Sequence, residues 1–211
     1  MTAKLTLIEH PILQHKLTIL RDKNTDSSLF RQTMGEMSRL VAYEATRNLE
    51  LEDVRIETPL EHTNSKIVSQ KMTIVSIMRS GNGMLDSLLQ LLPFAAAGHI
   101  GIYRDKFIKN TVEYYFRLPD NIEGQHVLLA DPLLATGDTA VASIDRLKQY
   151  KVGKISMLCL LVSQPGVEKL HQFHPDVEVF AVARERDLNA NGYLLPGIGD
   201  AGDRMYHTKT E

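Results

Sequence analysis

The sequence predicts an α/β fold in which a mainly parallel central sheet is flanked by helices. Short apolar runs without helical period alternate along the chain with amphipathic stretches. This alternation is typical of a parallel sheet that is covered on both faces. The chain has 211 residues, a length that fits one core. Since no repeat, linker or composition break divides it, residues 1–211 are expected to form a single domain.

The helices and strands are predicted from the spacing of apolar residues. The first long helix is expected over residues 28–50, with Asp26 or Ser27 as its N-cap. Its apolar residues recur at spacings of three and four, which indicates one buried helix face: Phe30, Met34, Met37, Val41 and Ala45. Shorter apolar runs predict strands at 71–78, 98–104, 125–131, 154–163 and 177–183. Further helices are expected after the turn 79–83, through residue 92, and at 139–150 and 165–173.

The stretch between residues 105 and 118 has a different pattern. Charged residues alternate there with Thr, Val, Tyr and Phe residues. Such alternation predicts an exposed hairpin whose backbone is not part of the core. This hairpin is a candidate lid over a substrate.

The composition restricts the classes of partner. A formal net charge of −2 and the lack of a Lys/Arg cluster along one face argue against a nucleic-acid partner, which needs a basic surface. No signal-like or membrane-length apolar run is recognisable, so no membrane partner is expected. The single cysteine, Cys159, lies in an apolar run. It cannot form an intrachain disulfide, which fits a cytoplasmic location.

The strand predicted at 125–131 ends at an acid, Asp131, and small or hydroxylated residues follow it. Ala135, Thr136, Gly137 and Thr139 would let backbone amides converge on a phosphate at the start of the next helix. An acid beside a phosphate can hold sugar hydroxyls, so the pattern favours a phosphorylated sugar as ligand. Helix capping and tight turns select the same residue types, so the loop alone leaves both interpretations open.

The segment 192–208 is the second unusual stretch. It contains four glycines, one proline and two aspartates, which predicts an irregular loop in place of a helix or strand interior. Such a loop presents backbone N–H and C=O groups to a ligand. A glycine-rich surface turn without a ligand is the alternative interpretation.

These two stretches carry a resemblance to a known family. The order Asp-Pro-Leu-Leu-Ala-Thr-Gly-x-Thr from Asp131 to Thr139 resembles the phosphoribosyl pyrophosphate (PRPP) loop of type I phosphoribosyltransferases, and a single acid followed by proline is similar to the uracil phosphoribosyltransferase branch. The segment 192–208 is similar to the uracil-binding segment of that branch. Further matches occur in order along the chain: His10-Pro11, His15-Lys16-Leu17, residues 43–46, residues 77–84 and Ile102-Tyr103-Arg104.

The resemblance implies the type I phosphoribosyltransferase fold, with a protruding β-hairpin and a C-terminal base-binding hood. It implies transfer of ribose 5-phosphate from PRPP to uracil, which gives UMP and pyrophosphate in pyrimidine salvage. Mg²⁺ is expected to be carried by PRPP, without a direct protein ligand. The implied partners are uracil and PRPP, GTP as an effector, and further copies of the chain in a homodimer or higher homo-oligomer.

The resemblance also assigns site residues. The catalytic residues would be Arg104, Asp131 and Asp200. Arg79 and Arg104 would contact the pyrophosphate, Asp131 the ribose hydroxyls, and Asp200 the magnesium-bound pyrophosphate through water. The PRPP-binding set is completed by Pro132, Leu133, Leu134, Ala135, Thr136, Gly137, Asp138 and Thr139. Uracil would be bound by Leu194, Gly199, Asp200 and Ala201, where backbone groups match the carbonyl and N3–H edge of the base.

The chain departs from the family pattern at several of these positions. Asp138 stands where glycine is common and would put a negative charge near the phosphate unless its side chain points outward. Ser76, Ser80 and Asn82 replace apolar or small residues around Arg79, and His207 replaces a glycine.

Two other functions are compatible with the same fold. One is a nucleotide-sensing regulator that controls RNA or a partner protein, although such a regulator should show a basic face. The other is a phosphoribosyltransferase for a different base, such as orotate or xanthine.

Overall fold

The computed structural model describes residues 4–104 and 111–208. Its elements follow in the order β1 (Lys4–Leu7), α1 (Pro11–Arg21), α2 (Ser27–Ala45), β2 (Leu51–Glu57), β3 (His62–Val68), β4 (Met72–Met78), α3 (Asn82–Leu91), β5 (Ala96–Arg104), β6 (Thr111–Arg117), β7 (His126–Ala130), β8 (Leu133–Leu134), α4 (Asp138–Lys148), β9 (Ile155–Leu158), β10 (Leu161–Ser163), α5 (Gln164–Phe173), β11 (Glu178–Ala181), β12 (Ala183–Glu185), β13 (Asp187–Leu188), β14 (Leu194–Leu195) and α6 (Ala201–Tyr206).

The central sheet has seven strands in the order β1-β11-β9-β7-β4-β5-β6. All neighbouring pairs are parallel except β5 and β6, which are antiparallel. Apolar side chains cover both faces. In β7, Leu128 and Ala130 pack into one core cluster, while Val127 and Leu129 pack into the other. The α/β class with a mainly parallel, helix-flanked sheet is confirmed.

The apolar run predicted as one strand at 154–163 forms two strands in different sheets. β9 belongs to the central sheet, whereas β10 pairs with β8 and β12 in a separate three-stranded sheet. The change occurs where the amides of Leu160 and Leu161 both donate to the carbonyl of Pro132, at 2.9 and 3.0 Å. The run 177–183 divides in the same way between β11 and β12. β9 and β10 are both buried, so the apolar pattern of their run carries no mark of the break.

The N-terminal helices begin at side-chain caps. The carboxylate of Asp26 accepts a hydrogen bond of 2.8 Å from the amide of Leu29, which confirms Asp26 as the cap of α2. The helix ends at Ala45, five residues before the predicted end at residue 50, and a turn leads into β2. In the His10-Pro11 motif, the ring Nδ1 of His10 accepts from the amide of Ile12 at 3.1 Å and caps α1.

The protruding hairpin was predicted in the wrong place. β6 does not stand apart from the core sheet: it extends that sheet as an antiparallel edge strand beside β5. The separate two-stranded hairpin consists of β2 and β3. Most of its side chains are exposed on both faces, so its sequence lacks the two-residue alternation that marks a half-buried strand. Residues 105–110 of the predicted lid lie outside the described residues.

The prediction of an irregular loop over 192–208 is correct only in part. Gly197 and Gly199 have positive φ angles of 64° and 73°, which favour glycine. From Ala201 onward the chain is helical, because Asp200 caps α6 by accepting a 2.9 Å hydrogen bond from the amide of Asp203. Among the helices of the described part, none has the length and apolar content needed to cross a bilayer.

Candidate active site

Three charged residues of the predicted site share one edge of the sheet at the level of the backbone. Arg79 follows β4, Arg104 ends β5, and Asp131 follows β7. The strands are parallel and in close register, with Ser76 beside Ala130 and Met78 beside Gly101. These strand ends form the carboxyl edge of the sheet, where ligands of open α/β folds bind. The side chain of Arg104 lies outside the described residues.

Asp131 is buried at this edge with few donors around it. The hydroxyl of Ser80 donates to its Oδ1 at 3.1 Å, and the amide of Leu133 lies 3.5 Å from the same oxygen. Removal of the carboxylate from water raises the pKa of Asp131 to about 7, and the two hydrogen bonds act in the opposite direction. Near neutral pH this carboxyl is therefore partly ionised, and the ionised form accepts hydrogen bonds at both oxygens.

The turn before α3 is ordered by residues that depart from the family pattern. The hydroxyl of Ser76 donates to Oδ1 of Asn82 at 2.8 Å, and Ser80 contacts Asp131 as described. Gly81 has no room for a side chain, since a Cβ atom there would lie 2.4 Å from the carbonyl oxygen of Ala130. Ser76, Ser80 and Asn82 therefore form hydrogen bonds within the site.

The phosphate loop, residues 132–139, is held from below by the start of α5. The hydroxyl of Ser163 donates to the carbonyl of Ala135 at 2.5 Å and accepts from the amide of Gly166 at 2.9 Å. A Cβ atom at Gly166 would lie 2.3 Å from the Ala135 carbonyl oxygen. Gly137 precedes α4 with φ +82°, a conformation that favours glycine. The loop thus leads directly into the N-terminal turn of α4, whose backbone N–H groups point toward the loop.

The predicted PRPP residues Pro132, Leu133 and Leu134 form the base of this loop. Pro132 is buried, Leu133 and Leu134 pair with β10, and Leu134 is part of the core. A ligand contact from this part of the loop would come from backbone groups, because the leucine at 134 is 1% exposed.

Asp138 does not point freely toward the loop. Its Oδ2 accepts from the hydroxyl of Thr136 at 2.9 Å, and its Oδ1 forms an ion pair with Lys169 from α5. The following residue of the loop, Thr139, is half-buried. The negative charge of Asp138 is therefore paired with the positive charge of Lys169 from α5.

The hood, residues 192–208, meets the strand ends and the phosphate loop. The guanidinium of Arg79 donates to Oδ1 of Asp203 at 2.9 Å and to the hydroxyl of Thr208 at 3.1 Å. The hydrogen bond with Asp203 is the main reason that the pKa of Arg79 is raised. On the other side, a Cβ atom at Gly192 would lie 3.4 Å from the Cγ2 of Thr136. Two segments that are distant in sequence are thus brought to one edge.

Two arginines fix the rest of the hood. Arg21 from α1 pairs with buried Glu185 at 2.5 Å and donates to the carbonyl of Gly197 at 2.9 Å. Arg204 donates to the carbonyls of Ile198 at 2.9 Å and Asp22 at 2.6 Å. Its guanidinium also lies 4.3 Å from the ring centre of Phe30. These contacts set the backbone between Gly197 and α6.

Comparisons with known proteins show the family of the chain. The family model described as uracil phosphoribosyltransferase matches residues 7–208. The chain belongs to the uracil phosphoribosyltransferase family. A uracil phosphoribosyltransferase of Polaromonas naphthalenivorans (strain CJ2) is 50% identical over 204 residues, which cover 96% of this chain and 98% of the relative. One from Legionella pneumophila subsp. pneumophila is 49% identical and covers 96% and 95%.

Solved structures show the same fold. The AQ2163 protein from Aquifex aeolicus is 28% identical with a TM-score of 0.93, and the match covers 98% of this chain and 100% of that one. A hypoxanthine phosphoribosyltransferase from Staphylococcus aureus is 13% identical with a TM-score of 0.51, over 75% and 76% of the two chains. At that identity the likeness shows only the fold.

The residues predicted to bind uracil are unequally accessible in this member of the uracil phosphoribosyltransferase family. Leu194 and Ala201 are buried, Asp200 is half-buried and Gly199 is exposed. A groove of about 930 Å³ separates the hood from the turn between α1 and α2. Leu194, Gly199 and Asp200 contribute to its lining, whereas Asp131 and Thr136 do not. The hood backbone therefore borders this groove as well as the sheet edge.

His207 is one departure from the uracil phosphoribosyltransferase pattern, and its backbone conformation explains why glycine is usual at this position. It ends α6 with φ +54°, in the left-handed region that favours glycine. Its ring Nδ1 lies 3.3 Å from the hydroxyl of Ser27. The position thus selects glycine for its backbone conformation, and histidine is accommodated here with a side-chain contact.

Several residues that shape the site were not identified from the sequence. Ser163, Lys169, Arg21 and Arg204 act through contacts with distant segments. Only Ser163 had a local signal, a serine shortly before a proline at a helix start. Within residues 4–104 and 111–208, no group of three or more His, Cys, Asp or Glu side chains is placed to hold a metal ion.

Proposed function

We propose that the chain transfers ribose 5-phosphate from PRPP to uracil and releases UMP and pyrophosphate. The observation that carries this proposal is that the hood meets both the phosphate loop, where Gly192 lies beside Thr136, and the end of β4, where Asp203 accepts from Arg79. One segment suits a sugar phosphate and the other presents main-chain groups to a base. Membership of the uracil phosphoribosyltransferase family supports the same reaction.

The sugar phosphate would be bound by groups that need no rearrangement of the fold. The amides at the start of α4, from residue 136 to 139, would surround the 5-phosphate with the positive end of the helix dipole behind them. Asp131 would accept hydrogen bonds from the ribose hydroxyls. Arg79 and Arg104 would hold the pyrophosphate, since a guanidinium can contact two phosphate oxygens at once.

The difficult step is the break of the C1–O bond between ribose and pyrophosphate. Positive charge develops on the ribose ring and negative charge on the leaving group, so oriented charges and dipoles stabilise this step more than a covalent nucleophile would. Uracil would be held beside C1 by backbone groups of Gly199, Asp200 and Ala201. A fixed sequence of donors and acceptors at this loop would distinguish uracil from cytosine.

Magnesium is proposed as a cofactor that arrives with PRPP. The chemistry of Asp200 fits this role, because a half-buried carboxylate at the hood suits the water shell of Mg²⁺. One of its oxygens already accepts from the amide of Asp203, so an outer contact through water suits it better than direct ligation. When bound, Mg²⁺ would neutralise negative charge on the pyrophosphate. Catalysis by Arg104, Asp131 and Asp200 is part of this proposal.

Further properties are proposed on the family resemblance: GTP as an effector, a homodimer or higher homo-oligomer, and a cytoplasmic location. GTP is tested by its effect on turnover at low PRPP concentration. The oligomer is tested by light scattering on the purified chain, where a mass of one chain would contradict it.

The function is tested by UMP formation from uracil and PRPP with and without Mg²⁺. We expect magnesium-dependent product and little product from orotate, xanthine or cytosine. Faster turnover of orotate than of uracil would remove the assigned role of the hood. Negligible turnover together with tight RNA binding at physiological salt would instead favour a regulator.

A further inference from the structure

The first turn of α4 contains a carboxylate beside the expected phosphate site. Asp138 is the first helical residue after Gly137, and a phosphate bound by the amides of this turn would lie within the range of its charge. A negative side chain stabilises the helix here, but it also repels a phosphate dianion. A phosphate site with this residue needs a positive charge to offset it.

Lys169 lies where it can supply that charge. It comes from α5, which crosses under the loop, and its ammonium group pairs with Oδ1 of Asp138. The packing is close, because a Cβ atom at Gly137 would lie 3.3 Å from the Cβ of Lys169. The side chain of Asp138 is 17% exposed, so solvent screens this pair less than a pair on the open surface.

Thr136 ties the acid to the loop from its other side. Its hydroxyl donates to Oδ2 of Asp138 at 2.9 Å. Together, Thr136 and Lys169 engage both carboxylate oxygens, so the orientation of Asp138 is determined by residues on two different elements. Replacing Lys169 would therefore change both the net charge at the loop and the conformational freedom of the Asp138 side chain.

We propose that Lys169 is a positioning residue of the phosphate site, which acts through Asp138. As the counterion of Asp138 it keeps the start of α4 free of net negative charge, and thereby preserves the affinity of the loop for a phosphate monoester. The inference rests on the proposed function, since it assumes that this loop binds the 5-phosphate of PRPP.

The chain offers a matched control on α4, the helix that begins at Asp138. Lys148, the last residue of α4, forms an ion pair of 2.7 Å with Asp176, and its exposure of 38% is close to the 39% of Lys169. Ten residues separate it from Asp138, about 15 Å along a helix. This is more than the Debye length of about 10 Å at 0.1 M salt. Lys148→Ala therefore removes an equal charge at a distance where its effect is screened.

The test is calorimetric titration with ribose 5-phosphate, which has the phosphate but no leaving group. We expect Lys169→Ala to weaken binding about five- to tenfold at 0.1 M salt, and Lys148→Ala to change it by less than about twofold. Asp138→Asn should strengthen binding, and the double variant Asp138→Asn with Lys169→Ala should lie between the two single variants. Lys169→Arg should restore most of the affinity.

Two results would overturn the proposal. Equal affinities for the wild type and Lys169→Ala would show that the pair lies outside the range of the phosphate. A double variant as weak as Lys169→Ala alone would show that Lys169 acts without Asp138. If thermal unfolding shows that Lys169→Ala is not folded, Lys169→Gln removes the same charge and its affinity is compared with that of the wild type. Binding of ribose 5-phosphate is measured without turnover. A failure of the proposed uracil reaction would therefore appear in the UMP assay and not in this titration.

Discussion

The phosphate loop and the hood meet at one edge of the sheet, but different interactions hold them there. The loop is fixed by close backbone approach, such as Ala135 against Gly166, and by the buried hydroxyl of Ser163. The hood is fixed by the side chains of Arg21, Arg79 and Arg204. Packing at short range is insensitive to salt, whereas partly exposed ion pairs are screened by it. The conformation of the hood should therefore depend on its charged side chains more than the backbone conformation of the phosphate loop does.

The largest effect is expected at the boundary of the two regions, from Asp131→Asn. The amide keeps the shape of the side chain but presents one acceptor fewer to the ribose hydroxyls. We expect kcat/KM for PRPP to fall about 100-fold, equivalent to about 2.7 kcal/mol. Unchanged kinetics in a folded variant would exclude the ribose role of Asp131.

The same variant should change how stability depends on pH. Burial raises the pKa of Asp131 to about 7, above the value of about 4 in an unfolded chain. The folded protein thus keeps this proton to higher pH, and its stability falls as the pH rises from about 4 to about 7. Asp131→Asn should lose this decline, so its Tm should exceed that of the wild type at pH 8 and approach it near pH 4. Parallel pH curves would contradict the burial argument.

A change of backbone packing should damage the phosphate side selectively. Gly166→Ala would place a Cβ atom 2.3 Å from the carbonyl oxygen of Ala135, and overpacking of this kind costs about 1–3 kcal/mol. We expect a lower Tm and a higher KM for PRPP, with a smaller change in KM for uracil. Gly124→Ala is a control for an added Cβ without overpacking, because no atom lies within 4 Å of the Cβ there. The positive φ of 73° at Gly124 strains alanine, so this control should lower Tm but leave both KM values unchanged. An equal rise in both KM values would show that the two regions are not separable.

A change of charge should damage the hood selectively. Arg204→Met removes donors to the carbonyls of Ile198 and Asp22 but keeps much of the aliphatic volume. We expect KM for uracil to rise about tenfold, while KM for PRPP changes less. Arg47→Met is the control, because Arg47 pairs with Glu44 on the exposed end of α2. A larger effect on PRPP than on uracil would reverse the comparison.

The smallest effect is expected from Ser80→Ala. The hydroxyl of Ser80 donates to Asp131 and lowers its pKa, so its loss should raise that pKa further. The carboxylate would then be protonated over a wider pH range. The pH dependence of kcat/KM for PRPP should shift upward, with a loss of about threefold at pH 7. Ser80→Thr should restore the profile, and an unshifted profile in the alanine variant would argue against the contact.

The sequence predicted the phosphate side of the site better than the hood. The strand before Asp131 and the helix after Thr139 carry local signals, an apolar run and a helical period. α6 has only six residues, too few for a helical period to appear after a glycine-rich stretch. The hairpin of β2 and β3 was missed because both of its faces meet solvent.

Other features depend on contacts that no local pattern encodes. The partner of Asp138 is a lysine 31 positions away, and Arg204 reaches a carbonyl 182 positions away. The family resemblance predicted which segments bind the substrates, but it gave no role to Ser80 or Lys169, which differ from or lie outside the recognised motifs. Such residues are found only when the chain is folded and their neighbours are known.

Arg79, Asp203 and Thr208 form a three-way contact at the end of β4. Thr208 donates to the same oxygen of Asp203 that Arg79 contacts, at 2.6 Å. If Arg79 turns toward an incoming anion, Asp203 keeps a hydroxyl donor and no bare carboxylate is left behind. The guanidinium can therefore exchange an internal partner for an external one at a small energetic penalty. A reversible exchange of this kind would let one side chain serve the resting and the loaded enzyme alike.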